Sequence, residues 1–358
     1  MKEFKLAFPE IDQSYSLIDL QKTVKGNVKQ ITGNIVTVLL NPKYCKAKKI
    51  YEGQIFYDKF TNEIKFQGKI IGEKSIKPNQ IRLWDDSLNN RLGLEIEKHF
   101  GLNYNANKMW DAVRFVANQY EISPPEQYLK NLTWKGDRNA IAKLLPTYLG
   151  AEDTELNAWI MEHMILGLIK RVFEPGSKFD EMMVLVGGQG IGKSTFARYL
   201  AIRDDWFCTI ENIQGKDAVM NLMGKTVVEI EEFVALRNAK SANEAKSFLS
   251  KLSDRIRIPY EKFSTDVPRT CILIGTLNER TFLNDHTGER RYLPVECHKE
   301  NRKKAIYIDK DFQGDQSEKE YLNSIQEDFN QALAYGYKLY KEKKHSWTIP
   351  KELLNDLY

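Results

Sequence analysis

The chain is short of the residues that cross-link a small fold or build a metal cage. Its 358 residues include four cysteines, Cys45, Cys208, Cys271 and Cys297, far apart and without a CxxC pair. No histidine stands near them at zinc-ligand spacing, so neither a disulfide framework nor a structural zinc site organises the fold. Reduced thiols are the expectation. The five histidines form no HExxH or triad arrangement, which leaves zinc hydrolysis and nucleophilic catalysis without a footing. His163 in MEHMILG reads as a packed residue and not as a ligand. Long hydrophobic runs are absent as well: the most apolar stretch, 158–173, is broken by Glu162, His163, Lys170 and Arg171. The first residues, MKEFKLAFPEIDQ, carry no apolar signal core, so a soluble intracellular protein is expected. Nor is there an excess of one charge, with 53 Lys and Arg against 49 Asp and Glu, a net of +4. A balance so mild argues for no partner by itself.

What is present is enough apolar material for a core, 42% of residues, and a length that suits two or three domains. No repeat or low-complexity linker marks a boundary, so boundaries follow changes of pattern. Residues 31–83 carry β-branched and aromatic runs, ITGNIVTVLL, KIYEGQIFYDKF and EIKFQGKII, separated by turn signals, and read as a small sheet with at least one hairpin. From 85 to 148 the period becomes helical: Leu92, Ile96 and Phe100 recur on one face and Gly101 ends the run. A wide-faced helix over 153–172 stops at Pro175-Gly176, and EMMVLVGG follows as a buried strand. Two further buried strands are expected at 226–230 and 271–275, and a last main helix at 321–344. Strands alternating with helices indicate a mostly parallel sheet covered on both faces. The expected division is a small N-terminal α+β domain (1–84), a helical connector (85–150), an α/β core (151–300) and a C-terminal helical segment (301–358).

The strongest motif is Gly187-Gly188-Gln189-Gly190-Ile191-Gly192-Lys193-Ser194-Thr195, which fits GxxxxGK[ST] directly after a strand and before the helical run FARYLA. Glycines let backbone N–H groups turn inward around phosphate oxygens, and the helix N-terminus adds its dipole. Lys193 supplies a point charge, and the Ser194 hydroxyl is placed for Mg²⁺. Nucleotide binding is therefore the working premise. Such a sheet needs an acid at a neighbouring strand end, and TVVEIEEF offers Glu229, Glu231 and Glu232. If the strand persists, alternation puts Glu229 and Glu231 on one side and Glu232 on the other. Glu229 is assigned to the metal side and Glu232 to water; the plain alternative is a solvated acidic strand end.

A third strand delivers Asn278 at its carboxyl end, where it can orient water or touch a γ-phosphate, although an Asn there also serves as a simple turn residue. The following loop holds Asp285, Gly288, Arg290 and Arg291. Either arginine can be surface charge or can stabilise a transferring phosphoryl group.

These ordered motifs, EPGSKFDEMMVLVGGQGIGKST, VVEIEEF, LSDRIRIPYEKF and IGTLNERTFLNDHTGERRYLPV, preceded by EQYLKNLTWKGDRN with Tyr128, Leu129, Trp134, Gly136 and Arg138, resemble the virulence-associated E family of phages and pathogenicity islands. That family is similar to superfamily 3 helicases on an AAA+-type P-loop core. The resemblance runs from about residue 30 to the end. It implies an ATP- and Mg²⁺-dependent DNA helicase or translocase of mobile-element replication, working as a ring of subunits, a hexamer, in the cytoplasm of a bacterial host cell. Lys193 and Ser194 would carry Walker A roles, Glu229 and Glu232 Walker B roles, Asn278 the sensor role, and Arg290 or Arg291 the finger reaching a neighbour's nucleotide. Thr-Leu-Asn stands at 276–278 where the family commonly has Thr-Thr-Asn. The chain starts without a primase-like domain, so any priming activity would belong elsewhere or be absent, and a separate primase or origin-binding protein is an expected partner.

Similarity to superfamily 3 helicases also marks 255–267 as a hairpin pointing into the ring channel. Lys262 and Arg257 would meet phosphate, and Tyr260 or Phe263 the bases of single-stranded or forked DNA, a sequence-tolerant combination. The basic runs at 43–49 and 338–347 read first as solvated faces. Two other classes remain open: a nucleotide-binding regulatory or interference protein that hydrolyses ATP without unwinding DNA, and a small-molecule phosphotransferase.

Overall fold

The computed structural model describes residues 6–8, 14, 17–45, 50–74, 80–103, 105–211, 213, 215–231, 242–256, 264–278, 291–307 and 318–357. The chain forms two compact units, residues 3–127 and residues 128–358 together with Met1 and Lys2.

The N-terminal unit contains helices α1 (Thr32–Leu40) and α2 (Pro42–Cys45), strands β1 (Tyr51–Asp58), β2 (Glu63–Ile70) and β3 (Ile81–Leu83), helices α3 (Asp86–Phe100) and α4 (Ala106–Asn118), and the short strand β4 (Glu121–Ile122). The sheet order is β3-β2-β1-β4. Strands β1 and β2 form the expected hairpin, whose turn is fixed by Asp58: its carboxylate accepts from the backbone of Phe60 and Thr61 and pairs with Lys65 at 2.8 Å. Gly53 faces Gly68 across the pair, and a Cβ on Gly53 would lie 2.0 Å from the Gln67 carbonyl, so only glycine closes this crossing. One core joins α1, α3 and α4 to the sheet, with Val38, Phe56, Phe66, Leu92 and Val113 fully enclosed.

ITGNIVTVLL is a helix and not the strand its β-branched residues suggest. Ile35, Val38 and Leu39 share one buried face at helical spacing. Buried Asn34 donates to the carbonyls of Gln21 and Lys29, and tertiary burial outweighs the weak local preference.

The second unit begins in α5 (Pro124–Asn131) and continues through α6 (Leu144–Leu149) and α7 (Glu155–Phe173). Then come β5 (Met182–Val186), α8 (Lys193–Leu200), β6 (Phe207–Ile210), α9 (Gly215–Leu222) and β7 (Val227–Ile230). Next are α10 (Ala242–Ser250), β8 (Ser253–Ile256), β9 (Thr265–Pro268), β10 (Ile272–Leu277), β11 (Tyr292–Glu296), α11 (Glu318–Glu342) and α12 (Leu354–Leu357). Five strands form a sheet in the order β11-β5-β10-β7-β6, and all four pairings are parallel. This is the mixed α/β class with a covered parallel sheet that the alternation of elements indicates. Val184, Val228, Ile230 and Leu273 face a core closed by Leu222, Phe248 and Leu249. Alternation turns Met183, Leu185, Glu229, Ile274 and Thr276 to the other face, where α7 and α8 pack.

From β5 the chain runs out to the β6 edge, returns through β7 and β10, and crosses to β11. The loop after β5 therefore sits where the strand order reverses, the place where open α/β sheets bind ligands.

Strands β8 and β9 pair antiparallel, as expected for the base of a hairpin. Buried Arg269 clamps that base, donating to Asp254 Oδ2 at 3.0 Å and to the Phe248 carbonyl. The hairpin's outer residues, including Arg257, Tyr260, Lys262 and Phe263, lie outside the described residues.

Candidate nucleotide-binding site

Buried strand β5 ends at Gly187, and the loop 187–192 leads into α8, whose first residue is Lys193. Two of its glycines meet conditions no other residue satisfies. Gly187 has φ +154° and would place a Cβ against the Cys297 carbonyl; Gly192 has φ +102° and would place one 2.3 Å from Ile306 Cγ2. Lys193 folds back over the loop and donates to the carbonyls of Gly187 and, at 2.8 Å, Gly188. This arrangement holds the ammonium over the loop at a helix N-terminus, where an anion is favoured.

Glu229 is 1% exposed and lies on the α8 face of the sheet. An ionised carboxylate so buried requires donors. Ser194 Oγ donates to its Oε1 at 2.6 Å, Thr276 Oγ1 to the same oxygen at 3.1 Å, and Thr209 Oγ1 to Oε2 at 3.4 Å. Strand register explains the convergence. Thr209 is the Cα partner of Glu229 across β6 and β7, and Ile274 its partner across β10, which sets Thr276 two residues further on the same face.

The residues expected from sequence separate into groups. Lys193, Ser194 and Glu229 come together. Asn278 is exposed, one residue beyond β10 and two beyond Thr276. Strand β7 ends at Ile230 and Glu231 is exposed beyond it, so strand alternation does not extend to Glu231. Glu232 and Arg290 lie outside the described residues. Arg291 sits at the opposite end of the sheet: its carbonyl accepts from Met182 N at 2.7 Å and its Nε lies 3.4 Å from Asp180 Oδ2. The five-residue length of β5 separates it from Gly187 by about 16 Å.

Several roles were invisible in sequence. The segment after β11 backs the loop: Arg302 donates to the Ile191 carbonyl at 3.3 Å and Tyr307 Oη to that of Gly190. Cys297 packs behind Gly187, and burial pushes its thiol up to about 12, so it stays protonated as a packing group. No motif marks these residues; only their contact with the loop reveals them. Thr209 and Thr276 were not singled out in the sequence; strand register brings them to Glu229.

Residues 126–139 owe their pattern to packing. Tyr128 Oη donates to Asn330 Oδ1 at 2.7 Å, Leu129 is buried and Trp134 stacks on Tyr335 of α11 at 5.1 Å. His163 is a core residue, stacked on Trp159 with its Nδ1 3.1 Å from His345 Nε2. In the run 338–347, Lys338 lies over Trp134, Lys341 over Tyr337, and Lys344 pairs with Glu342, so these cations serve the fold's own surface.

Among the described residues no cluster of three or more His, Cys, Asp or Glu forms a protein-only metal cage. Ser194 and Glu229 are a pair of hard oxygen donors, the kind of partial set that holds Mg²⁺ jointly with substrate phosphates. No helix among the described residues is long and apolar enough to cross a membrane.

Comparison with known proteins agrees with this architecture. The apo structure of the NrS-1 C terminal region (305-718) superposes with a TM-score of 0.50 at 17% identity, covering 87% of this chain and 73% of that one. The A form apo structure of the NrS-1 C terminal region-CTR (305-718) gives 0.49 at 16%, covering 89% and 76%. At such identity the first likeness speaks for the fold alone. No curated protein matches the chain. The virulence-associated protein E-like domain matches residues 129–357, so the chain belongs to the virulence-associated protein E-like family.

Proposed function

We propose that this protein is an ATP- and Mg²⁺-dependent ATPase that moves along or unwinds DNA in mobile-element replication, working as an oligomeric ring. The observation that carries the reading is the 2.6 Å bond between Ser194 in the first turn of α8 and buried Glu229, at the carboxyl ends of parallel strands beside Lys193. The chemistry of this donor pair fits Mg²⁺, which would polarise the terminal phosphate and its attacking water. Lys193 and the loop N–H groups orient the triphosphate, Ser194 and Glu229 hold the metal side, and Asn278 stands at the sheet edge to orient water or touch the γ-phosphate. Glu232 is assigned the water.

Arg291 lies at the far end of its own sheet, so acting as the finger it would serve a neighbouring copy's nucleotide; Arg290 remains the other candidate. This favours a ring, with six subunits the family's implied number. Arg257, Tyr260, Lys262 and Phe263 are assigned to single-stranded or forked DNA by the family resemblance, and a separate primase or origin-binding protein would complete the machinery.

Steady-state ATP hydrolysis with and without single-stranded DNA, across protein concentration and with Lys193→Ala as blank, tests the reading. A rate that rises with DNA and steepens with concentration is expected. A DNA-blind rate abolished by Lys193→Ala would replace the motor with a regulatory or interference protein that hydrolyses ATP without unwinding.

A further inference from the structure

Glu229 can bind a cation productively only if its carboxylate is held in one orientation. A glutamate has three rotatable side-chain bonds, and burial alone does not choose among their settings. Two of its three hydroxyl partners are unequal in their freedom. Ser194 belongs to the loop and helix that would meet the nucleotide, so its bond to Glu229 is one that ligand binding rearranges. Thr276 belongs to β10, hydrogen-bonded on both sides within the sheet to β5 and β7, and is itself buried. Its Oγ1 donates to Glu229 Oε1 at 3.1 Å. Thr209 reaches the second oxygen at 3.4 Å from the more exposed edge strand β6.

We infer that Thr276 is a positioning residue that fixes the Glu229 carboxylate for the metal. The inference rests on the ATPase reading above. The physical basis is an anchor on the central strand of the sheet, where backbone pairing leaves the hydroxyl little freedom and β-branching restricts its rotamer. A hydroxyl bonded to a charged acceptor is stronger than a neutral bond. Strand β10 ends at Leu277, and Asn278 follows one residue beyond it, so the anchor of the acid lies inside the paired strand, two residues before the end where Asn278 stands. The sequence position carries this role independently of residue 277, which alternation turns into the opposite core as buried Leu277; leucine there leaves the Glu229 anchor untouched.

The test uses the full chain, ADP and Mn²⁺, with Mn²⁺ binding to the protein–ADP complex followed by electron paramagnetic resonance. Thr276→Val keeps shape and removes the donor. The expected result is Mn²⁺ affinity about tenfold weaker, the size of one hydrogen bond to a charged acceptor, with metal-free ADP affinity unchanged and Thr276→Ser restoring wild-type behaviour. In a Glu229→Gln background the Thr276→Val change should have no further effect on Mn²⁺ affinity, because the hydroxyl acts through the carboxylate. Mn²⁺ affinity indifferent to Thr276→Val, alongside Lys193-dependent ADP binding in wild type, would overturn the role and leave the ATPase reading standing. Equal losses in the wild-type and Glu229→Gln backgrounds would reassign Thr276 to packing. Absence of Lys193-dependent nucleotide binding in wild type would overturn the ATPase reading and this role with it. If Thr276→Val populates less folded protein, Thr276→Ala in the same cycle decides between the same outcomes.

Discussion

The two ends of the parallel sheet use charge differently. At the amino end, Arg269 closes on Asp254, Arg171 donates to the carbonyls of Cys271 and Phe179, and Arg291 faces Asp180. Each cation there meets a fixed acceptor inside the fold. At the carboxyl end, Lys193 leans on loop carbonyls and Glu229 on hydroxyls, partners that a phosphate and a cation can take over. Charge at one end closes the structure; at the other it is held ready. Burial alone does not distinguish the two, since Asp254 and Glu229 are both enclosed. The identity of the partner does.

The comparison is most sharply tested by removing one charge from each end. Lys193→Ala should cut nucleotide turnover by on the order of a hundredfold or more while leaving the unfolding midpoint close to wild type; a large fall in midpoint would make Lys193 a structural cation. Arg269→Ala should do the reverse, costing about 1–3 kcal/mol because it removes the buried partner of Asp254 and leaves it only Lys251 at 3.1 Å, as read from urea unfolding. The nucleotide affinity of its folded fraction should be unchanged. Between these lies Gly192→Ala, which combines a positive φ with a Cβ at 2.3 Å from Ile306. It should cost about 1–3 kcal/mol and weaken nucleotide binding together, since the loop and its backing move as one.

Arg291 sharpens the comparison further, because it belongs to the closing end by position and to catalysis by the ring hypothesis. Arg290→Ala and Arg291→Ala should both bind nucleotide normally. One of them should abolish turnover yet recover it when mixed with Lys193→Ala subunits; recovery in neither mixture would confine both arginines to the fold.

The smallest effect concerns Glu181, at the amino end beside His163 at 3.6 Å. Burial pushes its carboxyl up, but the adjacent His163 and local backbone donors outweigh this and hold it below the usual carboxylate range. A carboxyl held low adds stability above the unfolded-state value, and that contribution fades as pH falls through the folded one. The stability gap between wild type and Glu181→Gln should be widest above about pH 4.5 and close below it, as measured by urea midpoints across pH. A gap that widens in acid would reverse the sign.

Much of the second unit could be read in advance because its signals are local. EMMVLVGG is apolar throughout and ends in glycines, so strand and loop follow from composition and punctuation; β7, β10 and α11 were marked in the same way. The first helix was misread because Ile35, Val36, Thr37 and Val38 favour extended backbone when considered alone, and the buried Asn34 network that holds the helix joins residues distant from it. At the site, Lys193, Ser194 and Glu229 were legible as types at fixed spacing. Tyr307 and Arg302 were not, since a hydrogen bond to a loop carbonyl more than a hundred residues away leaves no pattern along the chain.

The sequence by itself determined the loop, its lysine and serine, the buried strands and the acid at the end of one of them, because backbone freedom, charge type and hydrophobic period are properties of neighbouring residues. Only the tertiary structure decided which acid meets Ser194, that Thr209 and Thr276 share it, and that Arg291 stands at the far end. Those outcomes depend on strand order and register, which arise when elements distant along the chain are packed side by side and every buried polar group must find its partner.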